Sequence, residues 1–553
     1  MNAAAASPVR VDWRALTLVG LLAFAAAAPS LANGFAYDDQ WIIVTNARVH
    51  DLDRWADWLT TSYWPTREAT LFRPLTTAGF ALQWAVGGGT ALVFHVVNVV
   101  LAVAGAVAFT WLASLVLPAA AAIVVGAAFA VHPVHVEAVA NLVGQSELSA
   151  GLALILALGV YIRARRAGPL RRTTTLGLTA MYLAAVFLKE HALMLPAWFV
   201  AAEFTVLREL GPWRTRVRDL AWFYVMLGAV AAFSLVARWD VLGAIGGDIP
   251  HPALNGLTAA GRAFVMLDVL PEIGRLLLWP ARLYADYSPE HINVSPDATL
   301  SHLNGMLIAA GAMTLFAVGV KRSAPVALGL LLAALAWLPT ANLLMPSGIL
   351  LAERALYLPS AGFLLAAGAG VALVEGRFSA AAITAAGARR AAGVVLGAVL
   401  ILGIGRSVER QRAWRSSDDV FWTLVNDAPA SFKAHHVWGG VLFDRGDLRG
   451  GERELLMAIR IFPAYHKLYQ DLAQQYRQGG QCLPAMPLFK RALELGGPLP
   501  LSRAGLVACE LGLARFSDAR RTALLGITDG HDPEWFRARL RSADSALVAN
   551  DSL

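Results

Sequence analysis

Two adjacent carboxylates, Asp38 and Asp39, stand in the segment Phe35-Ala36-Tyr37-Asp38-Asp39-Gln40, directly after the first apolar run of the chain. Apolar surroundings disfavour charge on both members of such a pair. A carboxylate so placed can serve as general base toward an acceptor hydroxyl while a sugar leaves its phosphate, and its neighbour can orient it or meet a cation. The bland alternative is a solvated turn. The adjoining apolar run and the Trp41, Tyr63, Trp64 and Phe72 that follow favour the functional reading.

Three more groups of ionisable residues punctuate the apolar sequence. His132, His135 and Glu137 lie in His-Pro-Val-His-Val-Glu at the end of one apolar run. They have metal-ligand chemistry, but Pro133 perturbs the helix that would put both histidines on one face, and no further ligand is evident. Hydrogen bonds to a sugar or phosphate, or polar locking of the loop, are preferred, and no metal is assigned. Glu147 opens the next run and can join them. Lys189, Glu190 and His191 separate two runs with almost no loop; Lys189 can meet a lipid phosphate, or the three can pair internally and cap two helices. Glu353 and Arg354 follow a Pro346-Ser347-Gly348 turn, and the forked donors of Arg354 suit a phosphate. Arg73, before Pro74, is a third phosphate candidate.

Membrane helices must position these residues. Hydrophobic residues make up 57% of the 553 and charged residues 15%, where soluble domains carry roughly 25% charged. Runs suited to a bilayer core of about 20 residues lie at 14–32, 91–117, 119–139, 147–163, 174–190, 192–207, 219–237, 302–320, 324–341, 355–374 and 391–406, which gives about eleven spans. The first run, preceded by Arg10 and Arg14, resembles a signal peptide but is read as a retained span. The segment 262–283, interrupted by Asp268, Pro271, Glu272 and Arg275, is read as non-spanning. That choice puts the N-terminus and four basic clusters (Arg163–Arg172, Arg208–Arg218, Lys321–Arg322 and Arg377–Arg390) on the cytoplasmic side. The 33–88 loop, the 132–146 turn, the 239–301 stretch, the 342–354 loop and the C-terminal tail then share the external face. The net charge of +7 resides in these loop clusters, so it reports membrane orientation, and nucleic-acid binding is not expected.

The chain thus divides into a membrane domain, 1–406, and a polar tail, 407–553. Gly446 and Gly480, and Ala458 and Ala492, are spaced by the period of the tetratricopeptide repeat. The same shift pairs Gly439 with Ala473 and Leu455 with Phe489, and a weaker third copy follows through Leu506, Val507, Ala514 and Ala519. Such arrays present a concave surface to a peptide or protein. The chain has two cysteines, Cys482 and Cys509. They are read as free thiols in a helical core, with a single bridge between them as the alternative if the tail faces an oxidising compartment. The fold class is all-α, a polytopic membrane bundle followed by a helical repeat domain.

Taken in order, the stretches FAYDDQWIIVTN, LFRPLTTAGFALQWAVGGGTALVFHVVNVVLA, AVHPVHVEAVANLVGQSELSA, FLKEHALMLPA and LLAERALYLPSAGF resemble the transmembrane and tetratricopeptide-repeat O-mannosyltransferases and their bacterial relatives. The resemblance runs from Asn33 to about Gly370, with the repeat tail in the expected place. It implies a GT-C-type membrane glycosyltransferase with its active site on the non-cytoplasmic face and a polyprenyl-phosphate-linked sugar as donor. The acidic pair of the family's first external loop maps onto Asp38 and Asp39. The two further motifs map onto His132, His135 and Glu137 and onto Lys189, Glu190 and His191. The expected reaction moves mannose or another hexose to an acceptor hydroxyl, such as a protein serine or threonine, with inversion and no cofactor. Expected partners are membrane lipid, the lipid-linked sugar and a protein or peptide acceptor, in an inner (plasma) membrane with the tail periplasmic. Two other classes compete: a non-catalytic assembly factor or scaffold, and a transporter of lipid-linked sugars. A transporter would show broken spans with charges at the midplane, whereas here they gather at one face.

Overall fold

The computed structural model describes residues 11–65, 71–246, 251–289, 292–378 and 386–551; Arg10 lies outside them. Every named element is helical. The chain separates into two compact units, Met1–Tyr287 with Val294–Val420, and Ser288–Asn293 with Phe421–Leu553.

In the first unit, among the described residues, seven helices are long and apolar enough to cross a membrane: Trp13–Ala32, Ala91–Ser114, Leu142–Ala167, Trp213–Leu242, Leu300–Arg322, Glu353–Val374 and Arg390–Trp414. The pair Ala119–Ala130 and Pro133–Ala140, bent by 47°, makes an eighth if counted as one broken span. All the apolar runs of the sequence are helical, but three form shorter helices, Arg172–Leu188, Leu195–Phe204 and Ala324–Thr340. The first closes at Lys189, whose extended backbone (φ −159°) ends the ladder. Hydropathy registers an apolar run without registering where its helix stops.

The 132–146 segment differs more from its expectation as an external turn. His132 takes an extended backbone before Pro133, where the proline ring disfavours helix, and its side chain accepts the Val134 N–H. The chain then turns back into the unit, and residues 133–148, termed the re-entrant segment below for this path, are all buried. The interrupted 262–283 segment lies in a helix, Ala259–Leu278, that contains Pro271 and is not among the membrane-length apolar helices. Its Asp268 is buried, accepting the Ser295 N–H at 2.9 Å and pairing with His302 Nδ1 at 2.8 Å.

Backbone close approach sets the helix that carries Glu353 and Arg354. A Cβ on Gly362 would stand 2.3 Å from the Ala333 nitrogen, and one on Gly329 would stand 2.5 Å from the Ala366 nitrogen. Where lipid removes the hydrophobic drive between helices, such small-residue crossings supply the packing.

The second unit is a series of helical hairpins: Phe432–Asp444 with Leu448–Ile461, His466–Gln478 with Cys482–Gly496, and Pro500–Gly512 with Phe516–Thr528. The third copy, weak in sequence, is as regular as the others, and Pro533–Asp551 follows it. Between the helices of each hairpin one residue is left-handed: Gly446 (φ 81°), Gly480 (φ 74°) and Ala514 (φ 55°). The reading of the cysteines as free thiols is corrected. Stacking of successive hairpins sets Cys482 beside Cys509, with Cα atoms 5.0 Å apart, and the two are joined.

Ala514 holds with a Cβ the turn conformation that two glycines hold without one. Ala514→Gly is expected to stabilise the repeat unit by about 0.5–1 kcal/mol, read as a raised unfolding midpoint of the full chain in detergent. A lowered midpoint would show that the alanine methyl packs usefully.

Candidate functional site

The structure gives the two adjacent carboxylates different environments. Tyr37 is left-handed (φ 55°), a strained conformation for a bulky residue. Its N–H donates to Ser417 Oγ at 3.0 Å, and its ring meets Trp414 edge-on. Past this kink Asp39 turns inward and is fully buried. Its Oδ2 accepts the Ala36 and Leu142 N–H groups at 3.0 and 3.3 Å, and its Oδ1 accepts the Val143 N–H at 3.0 Å. Asp39 therefore fastens the first loop to the re-entrant segment. Burial pushes its carboxyl from the ordinary 3.8 up to about 7, against the pull of the three N–H groups. Asp38 retains 18% side-chain exposure, and its Oδ2 lies 3.5 Å from Arg354 Nη2.

Arg354 joins two segments far apart in sequence. Its Nη1 donates to Glu137 Oε1 at 2.7 Å, and its backbone N–H donates to Glu137 Oε2 at 2.9 Å. Glu137, on the re-entrant helix, is 1% exposed. Glu353 faces elsewhere and accepts the Tyr287 hydroxyl at 2.8 Å and the Tyr284 N–H.

Arg73, Lys189, Glu190 and His191 form a second cluster around Glu147. Arg73 grips Glu190 through Nε and Nη2 at 2.9 and 2.6 Å. Lys189 Nζ pairs with Glu147 Oε1, and His191 Nδ1 lies 3.4 Å from Glu147 Oε2. Thr76 Oγ1 donates to the Leu188 carbonyl at 2.7 Å, tying the Pro74–Gly87 helix to the same turn. The two clusters are electrostatically continuous: Arg354 feels Glu147, and Tyr63 feels Arg73, Asp38, Asp39 and Arg354. Arg73 lies 5.1 Å above the Tyr63 ring, whose buried phenol is held well above its ordinary range by desolvation.

The two histidines stand apart in role. His132 Nε2 contacts the Leu277 carbonyl at 3.2 Å, and His135 Nε2 contacts Ser360 Oγ at 2.8 Å. Among the described residues no group of three His, Cys, Asp or Glu side chains is arranged to hold a metal ion. Residues not singled out in the sequence also build the site. His95 Nε2 meets the Gly34 carbonyl at 3.2 Å and Asn98 donates to the Val139 carbonyl at 3.0 Å, both from within the Ala91–Ser114 helix. Their signal was available: two polar residues one turn apart in an otherwise apolar run.

These features define a multi-span helical membrane protein with a charged, partly enclosed site at one end of its helices and a helical-repeat unit. No family profile matches the chain. Among curated proteins it is similar to the protein O-mannosyl-transferase F38B6.6 of Caenorhabditis elegans, with 24% identity covering 79% of this chain and 61% of the relative. It is also similar to the protein O-mannosyl-transferase TMTC4 of Homo sapiens, with 27% identity covering 80% and 65%. A shorter stretch, 38% of this chain and 23% of the relative, is 35% identical to Tmtc2 of Drosophila melanogaster, also named a protein O-mannosyl-transferase. The resemblance drawn from the sequence is borne out as kinship with these proteins. The chain spans about three-fifths of the length of such relatives.

A carboxyl raised by folding binds its proton more tightly in the folded than in the unfolded protein. The stability Asp39 contributes is therefore full below about pH 4 and is lost as pH rises through about 7. In detergent, the wild type is expected to fall by on the order of a few degrees relative to Asp39→Asn between pH 5 and pH 8. A pH-independent difference would mean that the three N–H donors outweigh burial.

Proposed function

We propose that this chain is a membrane glycosyltransferase that moves a hexose, mannose in the first instance, from a polyprenyl-phosphate donor to a hydroxyl of a protein acceptor on the external membrane face. The observation that carries the reading is Asp38. It is an accessible carboxylate held beside Arg354 in a buried charged site, in a chain whose relatives are named protein O-mannosyl-transferases.

The acceptor oxygen attacks the anomeric carbon while its proton passes to Asp38. The bond from that carbon to the phosphate oxygen breaks, its electron pair stays on the phosphate, and in-line displacement inverts the anomeric centre. Asp39 acts through position. Its three backbone bonds fix the turn from which Asp38 projects. The repeat unit offers a surface for the protein acceptor. Its external, periplasmic location rests on the basic loop clusters and on the Cys482–Cys509 bridge, which persists in an oxidising compartment.

Asp38→Asn is expected to lower transfer about 100-fold or more, with the protein still folded in the membrane. Mass spectrometry of serine- and threonine-linked hexose in cells carrying wild type, Asp38→Asn or a deletion reads this out. Undiminished hexose with Asp38→Asn removes the base from the proposal. In intact cells, the half-buried Cys482 should react with a membrane-impermeant maleimide only after a reductant is added. Thiols that react without reductant, and only once the membrane is opened, place the tail in the cytoplasm.

A further inference from the structure

The three basic residues suited by sequence to a phosphate are all engaged by carboxylates: Arg73 by Glu190, Lys189 by Glu147, and Arg354 by Glu137 and Asp38. A fourth is not. Arg410, in the final turn of the Ala386–Gln411 helix, is 4% exposed. Its Nε and Nη2 are buried without a hydrogen-bond partner among the described residues. One turn further on, the fully buried Trp414 also leaves its Nε1–H without an acceptor. The Arg410 charge acts on Glu137, Glu353 and Tyr287, so the residue stands at the Arg354 cluster. Yet among the described residues it makes no ion pair there.

A guanidinium out of water is costly unless its donors find acceptors. The unmet groups around Arg410 have a definite character. Those on Arg410 and Trp414 are donors, and those on Glu353, at Oε2, and on the adjacent Gln411, at Oε1, are acceptors. The ligand that completes them offers anionic oxygens to the donors and hydroxyls to the acceptors. A sugar phosphate has both, and the guanidinium fork matches two phosphate oxygens.

We propose that Arg410 binds the phosphate of the lipid-linked sugar, with Glu353 taking a sugar hydroxyl. This rests on the transfer reading above. In that reaction the departing phosphate gains a negative charge as the anomeric bond breaks, and a guanidinium already in place stabilises the charge as it develops. Arg73 and Lys189 then serve chiefly to hold the neighbouring turn.

The test uses the purified full chain in detergent, with sugar-free polyprenyl phosphate as probe and the matching polyprenol as control. The wild type should bind the phosphate form at least 10-fold more tightly than the alcohol. Arg410→Gln should lose that difference, and Arg410→Lys, which keeps the charge without the fork, should retain part of it. The ligand-free melting temperature of each variant separates loss of the site from loss of the fold. Phosphate preference that survives in a folded Arg410→Gln overturns the assignment. So does equal binding of phosphatidylglycerol, which would make Arg410 a contact for ordinary lipid headgroups. Arg410-dependent binding of polyprenyl phosphate without any hexose transfer would leave this site standing and reject the transfer reading.

Discussion

A carboxylate taken out of water must find hydrogen-bond donors or keep its proton, and Asp39 is held under both demands. Its three backbone donors come from two places, Ala36 in its own turn and Leu142 and Val143 in the re-entrant segment. Those N–H groups are free because the chain is broken there, with short helices ending at Ala140 and starting again at Leu142. The break after Ala140, at the head of the Leu142–Ala167 helix, and the buried aspartate therefore complement each other. One supplies unpaired donors and the other removes them from an apolar interior, where each would otherwise destabilise the fold. Asp38, one residue earlier, is left pointing at Arg354 because its neighbour is fixed.

The same logic extends through the charged residues. Glu137 comes from the re-entrant helix, Arg354 from the head of a later span and Asp38 from the first loop. Glu147, Lys189 and Arg73 come from three further segments. Buried ion pairs add little net stability, since the attraction mostly offsets desolvation, but breaking one leaves an uncompensated charge. Their effect is on specificity: an arrangement of helices that separated these partners would strand charges in lipid. Glycine crossings at Gly329 and Gly362 provide the contact that lets the Arg354-bearing helix reach its partner.

Much of this was legible in the sequence, at the level of which segments are helical and which residues carry charge. Among the described residues hydropathy located every helix long and apolar enough to span, because transfer into lipid depends on composition, but it left the Pro74–Gly87 helix in the external loop. It misplaced the ends of three, since helix ends are decided by local backbone at residues such as Lys189. The acidic pair was visible, but its division of labour was not, because the donors to Asp39 lie in a segment that reads as an external turn. Arg410 escaped notice for a related reason. It lies beyond the last apolar run, where composition turns polar, and was assigned to the tail, although the first compact unit continues to Val420. The cysteine pair was misread because the 34-residue period relates equivalent positions of successive hairpins, while the bridge joins non-equivalent ones.

What distinguishes the Arg354 end of the site from a merely cross-braced helix junction is its incompleteness. At the Glu147 end Arg73, Lys189 and both glutamates are paired, and the unmet atoms there, His191 Nε2 and the Tyr63 hydroxyl, belong to uncharged rings. At the other end Arg410, Trp414 and Glu353 are buried with polar atoms unmet, although Glu137 and Arg354 nearby are paired. A site that binds a charged group and then releases it in a different charge state needs donors that no carboxylate has already claimed. Donors that collapsed onto the nearest carboxylate between turnovers would have to be pulled free each time, and the barrier to reaction would rise accordingly.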